Sequence, residues 1–236
     1  MKRHILRLLS PALAMGLALV ASQARADILL VPGASSIPIT QGTLNNETFV
    51  ASIQRASLGN SPANAVLNEA VFREASGSLT FVYQLVNNGS TPLSSLTVSN
   101  FANFVTTVGS LGSAAGTVLP PSFPGNSVGS NDPILASRTP TTGDAINFSF
   151  DATPLAVGAT SSLFFVRTNA VNFNRFGAGL LTGTNPVTGA NVGGDVFINL
   201  LQPSGIAVVP EPSTFVGAGV AALFSLGFAF RRKRTA

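Results

Sequence analysis

The sequence predicts an all-β protein whose central part is an antiparallel β-sandwich, and three observations predict it. Apolar and polar residues alternate over short stretches with the two-residue period of a half-buried strand. Clusters of Gly, Pro, Asn and Ser separate those stretches. The middle of the chain holds no long amphipathic helix, and its few charges among many Ser, Thr, Asn and Gly suit a β-rich fold with polar loops.

Taken in order, strands are expected at 28–31, 48–54, 70–73, 79–86, 94–101, 146–151, 162–167, 196–201 and 205–209. The clearest alternation is "INFSFD" at 146–151. In "LTFVYQLV" (79–86), Leu79, Phe81, Tyr83 and Leu85 share one face, which makes Tyr83 a core residue. The turn cluster Asn87-Asn88-Gly89-Ser90-Thr91-Pro92 then leads into "SSLTVSNF", so 79–86 and 94–101 read as a hairpin. The stretch "ANAVLNEAVF" (63–72) is the best short helical candidate. Residues 109–138, rich in Gly, Ser, Pro and Asn, read as a long surface excursion. Eight to ten short strands separated by turns form a sandwich, with a jelly roll as one topology of that class.

Charge is divided unevenly. Of 13 Lys and Arg, four (Lys2, Arg3, Arg7, Arg25) lie near the N-terminus and four (Arg231, Arg232, Lys233, Arg234) near the C-terminus. Residues 27–209 keep five Arg against eight acids; five minus eight leaves −3, although the whole chain carries +4. A mildly acidic body gives nucleic acid no basic face to bind. At roughly 180 residues it is long enough to bury a core of its own, and it contains no cysteine to brace it.

The two ends explain the remaining cations. Residues 1–26 combine a basic start, an apolar run and Ala24-Arg25-Ala26, which places small residues at the two positions a signal peptidase reads. They read as a secretory signal peptide cut after Ala26. Residues 214–230 carry no charge, and as a helix would be about 25 Å long, the short limit for a hydrocarbon core of about 30 Å. They read as a transmembrane helix. Basic flanks stay in the cytoplasm, so Arg231, Arg232, Lys233 and Arg234 put the body on the far side of the membrane. Before the span stand Pro210, Glu211, Pro212 and Ser213. Proline fixes φ and lacks an N–H, so this segment is expected to be extended and unpaired, a form that a membrane-embedded protease can grip. The chain thus divides into a signal peptide (1–26), an exported sandwich (27–209) and a tail (210–236), with its motif at 210–213, its span at 214–230 and its basic cluster at 231–234.

Val209-Pro210-Glu211-Pro212-Ser213, the apolar span and the Arg-rich cluster resemble the PEP-CTERM sorting signal of Gram-negative bacteria. The resemblance implies recognition of Pro210, Glu211 and Pro212 by exosortase, an integral membrane cysteine protease, with membrane arrest by residues 215–230. It also implies passage through the inner membrane, arrival at the cell surface or extracellular matrix, and a link to exopolysaccharide and biofilm. The stretches "GSLTFVYQLVNNGSTPLSSLTVSNF" and "PLAVGATSSLFFVRTNA" are similar to the extracellular sandwich of many proteins that carry this signal.

Catalytic chemistry finds little support in the residues. The single histidine, His4, lies in the signal peptide, and without Cys the body lacks a Ser-His-Asp triad, a cysteine nucleophile and the usual zinc ligands. Asp144 and Asp151 are the one carboxylate pair weighed for glycoside hydrolysis, and both read as loop acids. "GNSVGSND" (125–132) offers one carboxylate to a calcium ion, too few for a hard cation. Asn46, Asn88 and Asn147 begin Asn-x-Ser/Thr triplets that arise readily in such a composition. Sugar sites commonly use Trp and Tyr faces, and here there is no Trp and one Tyr. The expectation is a non-enzymatic matrix or surface protein without a cofactor or a metal. The alternative is an unprocessed, tail-anchored sandwich that binds carbohydrate.

Overall fold

The structure, a computed structural model, describes residues 28–37, 39–41, 44, 47–111 and 131–206. Every regular element among them is a strand. The first seven are β1 (Ile28–Leu29), β2 (Ser35–Ser36), β3 (Ile39–Gln41), β4 (Thr48–Ala56), β5 (Ala65–Arg73), β6 (Leu79–Asn87) and β7 (Leu93–Val98). They are followed by β8 (Thr106–Leu111), β9 (Leu135–Arg138), β10 (Ile146–Ser149), β11 (Leu163–Thr168), β12 (Ala170–Thr184), β13 (Asn191–Val192) and β14 (Val196–Ile206). The all-β expectation holds among the described residues.

Two seven-stranded sheets face each other. The first has the order β1-β8-β11-β6-β5-β4, with β3 also on β8; the second runs β13-β12-β7-β10-β9-β2, with β14 also on β12. Among the named strands all pairings are antiparallel except β3 with β8. Between the sheets lies the main core, to which Leu67, Phe81, Tyr83 and Phe164 contribute from the first sheet and Leu96, Phe148, Leu181 and Phe197 from the second. Phe164 is an aromatic hub, its ring centroid 4.6 Å from Phe148, 5.8 Å from Tyr83 and 6.0 Å from Phe150. Offset and edge contacts of this kind add to plain area burial.

The first sheet is buried on its outer face as well. Leu44, Ala70, Phe72, Val82, Leu111, Leu163 and Phe165 form a second apolar cluster there. Beside it Arg167 pairs with Glu47 at 2.9 Å and lies over the Phe165 ring, 4.5 Å from its centroid. Double-sided burial explains why β6 and β11 are buried almost throughout, rather than at every second residue.

Three local readings of the sequence are corrected. Residues 63–72 are not helical: 65–73 form β5, paired along its length with β4 and β6. Ala, Leu and Glu favour helix, but intrinsic propensity is a weak preference, and pairing with a strand on each side overrides it. Strands 79–86 and 94–101 do not form a hairpin, because β6 belongs to the first sheet and β7 to the second. The turn between them carries the chain across the sandwich, and the true hairpin partner of β6 is β5. The surface excursion at 109–138 is shorter than expected, since β8 reaches Leu111 and β9 starts at Leu135.

The longest strand, β12, was not expected. Its N-terminal half pairs with β14 from Ala170 opposite Ile206 to Leu180 opposite Val196, while its later residues pair with β7 and β13. The register shifts at Gly177, where an added Cβ would lie 2.9 Å from the Leu200 carbonyl oxygen. The segments 196–201 and 205–209, read as separate strands, are continuous through 206 as β14. Pro203 is tolerated there because β14 ladders only with β12, so the missing N–H breaks no second ladder.

Candidate functional site

The chemistry-bearing side chains are dispersed. Asp144 and Asp151 flank opposite ends of β10, and seven residues of largely extended chain at about 3.3 Å each separate them far beyond the roughly 5–9.5 Å of a glycosidase pair. Asp132 accepts a hydrogen bond from Ser162 Oγ at 2.6 Å. Asp195 accepts from Ser57 Oγ and the Ser61 N–H, each at 3.1 Å, and so ties the loop after β4 to the approach to β14. No group of three or more His, Cys, Asp or Glu among the described residues is arranged to hold a metal ion.

Besides Arg167 and Asp195, the sandwich buries two further ionisable side chains, Arg138 and Glu69. Arg138 lies where β9, the strand-connecting segment 99–106 and the N-terminal strand meet. Its Nε donates to the Gly143 carbonyl at 2.7 Å. One terminal nitrogen donates to Leu30 O and Thr106 Oγ1, the other to Phe101 O and Phe104 O, all within 3.0 Å. All five guanidinium N–H groups are thereby used. Burial lowers the pKa of this group. Glu69 points into the main core opposite Tyr83, and its Oε2 accepts the Leu201 N–H at 2.8 Å. Its Oε1 is buried without a well-formed hydrogen bond. Burial is the largest influence and holds the Glu69 carboxyl well above the usual range, outweighing the Leu201 N–H, Tyr83 and Arg55, which act in the opposite direction. Burial and the neighbouring Glu69 push Tyr83 up in turn.

The second sheet carries an uncharged row of residues on its outer face. Cross-strand partners form one row over six strands: Ser35, Ser137, Asn147, Thr97, Leu180 and Val196. Asn147 Nδ2 donates to Thr97 Oγ1 at 2.8 Å. Around the hydroxyl half of the row, Gly33, Ser35, Thr97, Ser137, Thr139 and Asn147 line a shallow depression of about 390 Å³. Arg138 also borders it, but its N–H groups are committed inward, so the depression presents hydroxyls and an amide without a free charge. The sequence reading missed this face. Its signal was the Ser/Thr/Asn alternation in β7 and β10, which marks any solvated sheet face equally well.

β14 of the second sheet ends where β11 passes into β12. Ile206, the last described residue, pairs with Ala170 directly after the corner residue Asn169. Asn169 Oδ1 accepts the Val105 N–H at 3.0 Å, and Arg73 donates to Val171 O at 3.0 Å and Gly77 O at 2.8 Å. The strand that hands over the tail is firmly held, because Leu200 and Leu201 are buried in the main core.

Residues 208–234 match the family model of the PEP-CTERM protein-sorting motif. The chain carries a PEP-CTERM sorting motif. This motif contains Pro210, Glu211, Pro212 and Ser213, together with Arg231, Arg232, Lys233 and Arg234. It begins two residues after the end of β14. No curated protein and no solved structure matches the chain. The PEP-CTERM residues lie outside the described ones, as do Ala24, Ala26 and the apolar run at 214–230. Among the described residues no helix is long and apolar enough to cross a membrane.

Proposed function

We propose that this is an exported, non-enzymatic surface or extracellular-matrix protein that is held at the inner membrane by its tail and processed by an exosortase-like membrane protease. The observation that carries the reading is the PEP-CTERM match at 208–234, placed immediately behind the last strand of a folded β domain. Pro210, Glu211 and Pro212 serve as the recognised segment, 215–230 as the membrane arrest, and Arg231, Arg232, Lys233 and Arg234 as the orientation cluster. After processing, the sandwich joins an exopolysaccharide-containing matrix or biofilm. Intact mass of the exported protein tests the first part. A species lacking the residues behind the motif is expected, and Pro210→Ala combined with Pro212→Ala should abolish its formation. Retention of the tail in the unaltered protein overturns the reading. Activity on a polysaccharide panel that disappears in Asp151→Asn would overturn the non-enzymatic part.

A second reading is supported by the uncharged depression on the second sheet: a tail-anchored protein that is not processed and binds a neutral polysaccharide. Hydroxyl and amide groups at the cross-strand spacing of about 4.8 Å can exchange hydrogen bonds with a polyol without desolvating a charge. Co-sedimentation with the producer's own exopolysaccharide, lost in Asn147→Ala, would favour it; absence of co-sedimentation removes it.

A further inference from the structure

We infer that the end of the sandwich from which the tail emerges is a membrane-docking surface, with Leu29, Val31, Phe49 and Val105 seated in the lipid interface. The inference rests on the tail reading above and adds an orientation to it.

The first observation is reach. Seven residues, eight Cα–Cα steps, separate Ile206 from Thr214, the first residue of the uncharged run. Chain geometry limits eight such steps to about 29 Å even when fully extended, and a polyproline-like path would shorten that to about 25 Å. Part of this length must cross the headgroup layer, which adds roughly 5–8 Å to each side of the hydrocarbon core. The near end of the sandwich is therefore confined to the bilayer surface. Its far end, beyond nine-residue strands of about 30 Å, is not.

The second observation is what stands at the near end. Ala170 follows β11, whose last residue, Thr168, pairs with Thr106 of β8, and Leu29 pairs with the next residue, Thr107. Thr48 and Phe49 start β4 opposite Arg73 and Phe72, at the same end. Leu29 is 57% exposed, Val105 55%, Val31 49% and Phe49 46%. Their apolar area sits on both edges of the sheet and beside the tail exit, where a bilayer would cover it. The cations here do not oppose insertion: Arg73 is committed to backbone carbonyls and Arg167 to Glu47 and Glu74. Isolated exposed apolar residues are ordinary on soluble proteins. Their coincidence with the one end that the tether holds against lipid sets these apart.

The chain contains no cysteine, so single introduced thiols report without background. Leu29→Cys, Val31→Cys, Phe49→Cys and Val105→Cys are each labelled with an environment-sensitive fluorophore in the exported chain with its tail. The proteins are reconstituted into phosphatidylcholine/phosphatidylglycerol vesicles carrying headgroup spin-labelled lipid. Val157→Cys, beside Asn87 at the far end of β6, and Val187→Cys, in the β12–β13 turn, serve as distal positions. Quenching about twofold or more above the distal positions is expected at the four near-end sites, as for groups buried about 5–10 Å into the interface. Ser225→Cys, probed with acyl-chain spin label, reports insertion of the tail independently. Tail insertion with equal quenching at near and distal sites overturns the docking surface and leaves the sorting reading intact. Absence of tail insertion overturns both.

Discussion

Arg138 and Glu69 show two opposite ways of burying a charge. Arg138 meets no carboxylate, yet all its donors are satisfied by four carbonyls and one hydroxyl from three stretches of chain far apart in sequence, around Leu30, 101–106 and Gly143. Removing it takes the side-chain donor from the Gly143 and Phe104 carbonyls, whereas Leu30 O keeps the Thr106 hydroxyl and Phe101 O keeps the Phe104 N–H. Each orphaned carbonyl costs about 1–3 kcal/mol where no water reaches. Arg138→Ala is expected to lower stability by about 3–4 kcal/mol. Arg138→Lys, with three donors on a point-like head, should recover less than half of that. Urea unfolding midpoints at equal m-values measure both. Glu69 is the less satisfied group. Because burial raises its folded-state pKa, the folded protein binds a proton that the unfolded chain has released. Stability from this group is then fully present below its ordinary value of 4.5 and falls as pH rises above it, by at most about 1.4 kcal/mol per pH unit. Glu69→Gln keeps an acceptor for the Leu201 N–H and cannot ionise. Its urea midpoint should match the parent at pH 4 and exceed it at pH 8; curves that stay parallel across this range would refute the assignment.

Among the elements, the connection from β6 to β7 repays the closest reading. Asn87 is fully buried. Its Nδ2 donates to Thr91 O at 3.0 Å and Leu155 O at 2.9 Å, and its Oδ1 accepts the Gly89 N–H at 3.0 Å. One side chain therefore bends the chain out of the first sheet and fastens it to the segment before β11. Asn87→Ala removes three hydrogen bonds, takes the Asn87 donor from Thr91 O and leaves Leu155 O with the Leu93 N–H alone. It should cost about 2–3 kcal/mol, visible as a lower melting temperature. Asn87→Asp, which loses both donors but keeps the Gly89 contact, should cost a similar amount near neutral pH. This connection also marks the limit of what the sequence discloses. Asn-Asn-Gly between two alternating runs has the same local chemistry in a hairpin and in a crossing between sheets, and only the distant Leu155 carbonyl decides. Alternation located β6 and β10 because each has a face on the core. It did not locate β12, where Asn and Gly are common and the strand is stabilised by pairing with β14 rather than by its own propensity. The sorting motif was fully legible, because recognition of an extended tail depends on contiguous residues. The hydroxyl row on the second sheet was not, since its members come from strands far apart in sequence.

At the scale of the molecule, charge is partitioned by destination. The sandwich is slightly acidic, while eight of the 13 cations stand in the two terminal segments. On the proposed reading the C-terminal four keep the tail from being pulled through after the body. Placing a Lys or Arg in the hydrocarbon centre costs about 2.5–3.5 kcal/mol on an insertion scale, so four in succession oppose full translocation by on the order of 10 kcal/mol. The apolar run supplies a weaker constraint, being at the short limit for a span and easily displaced along the membrane normal. The cluster, more than the span, should therefore fix the final position. A reporter fused after Ala236 is expected to be cytoplasmic. Replacing Arg231, Arg232, Lys233 and Arg234 together with Ser should move a substantial fraction of the reporter to the outer side while the apolar run stays unchanged. Restoring two cations should largely reverse the shift, since orientation follows the bias of Lys and Arg near the span rather than any particular residue. If the reporter is already on the outer side in the unaltered chain, the cluster does not orient the tail. The motif would then be presented from the wrong side of the membrane for the processing proposed here.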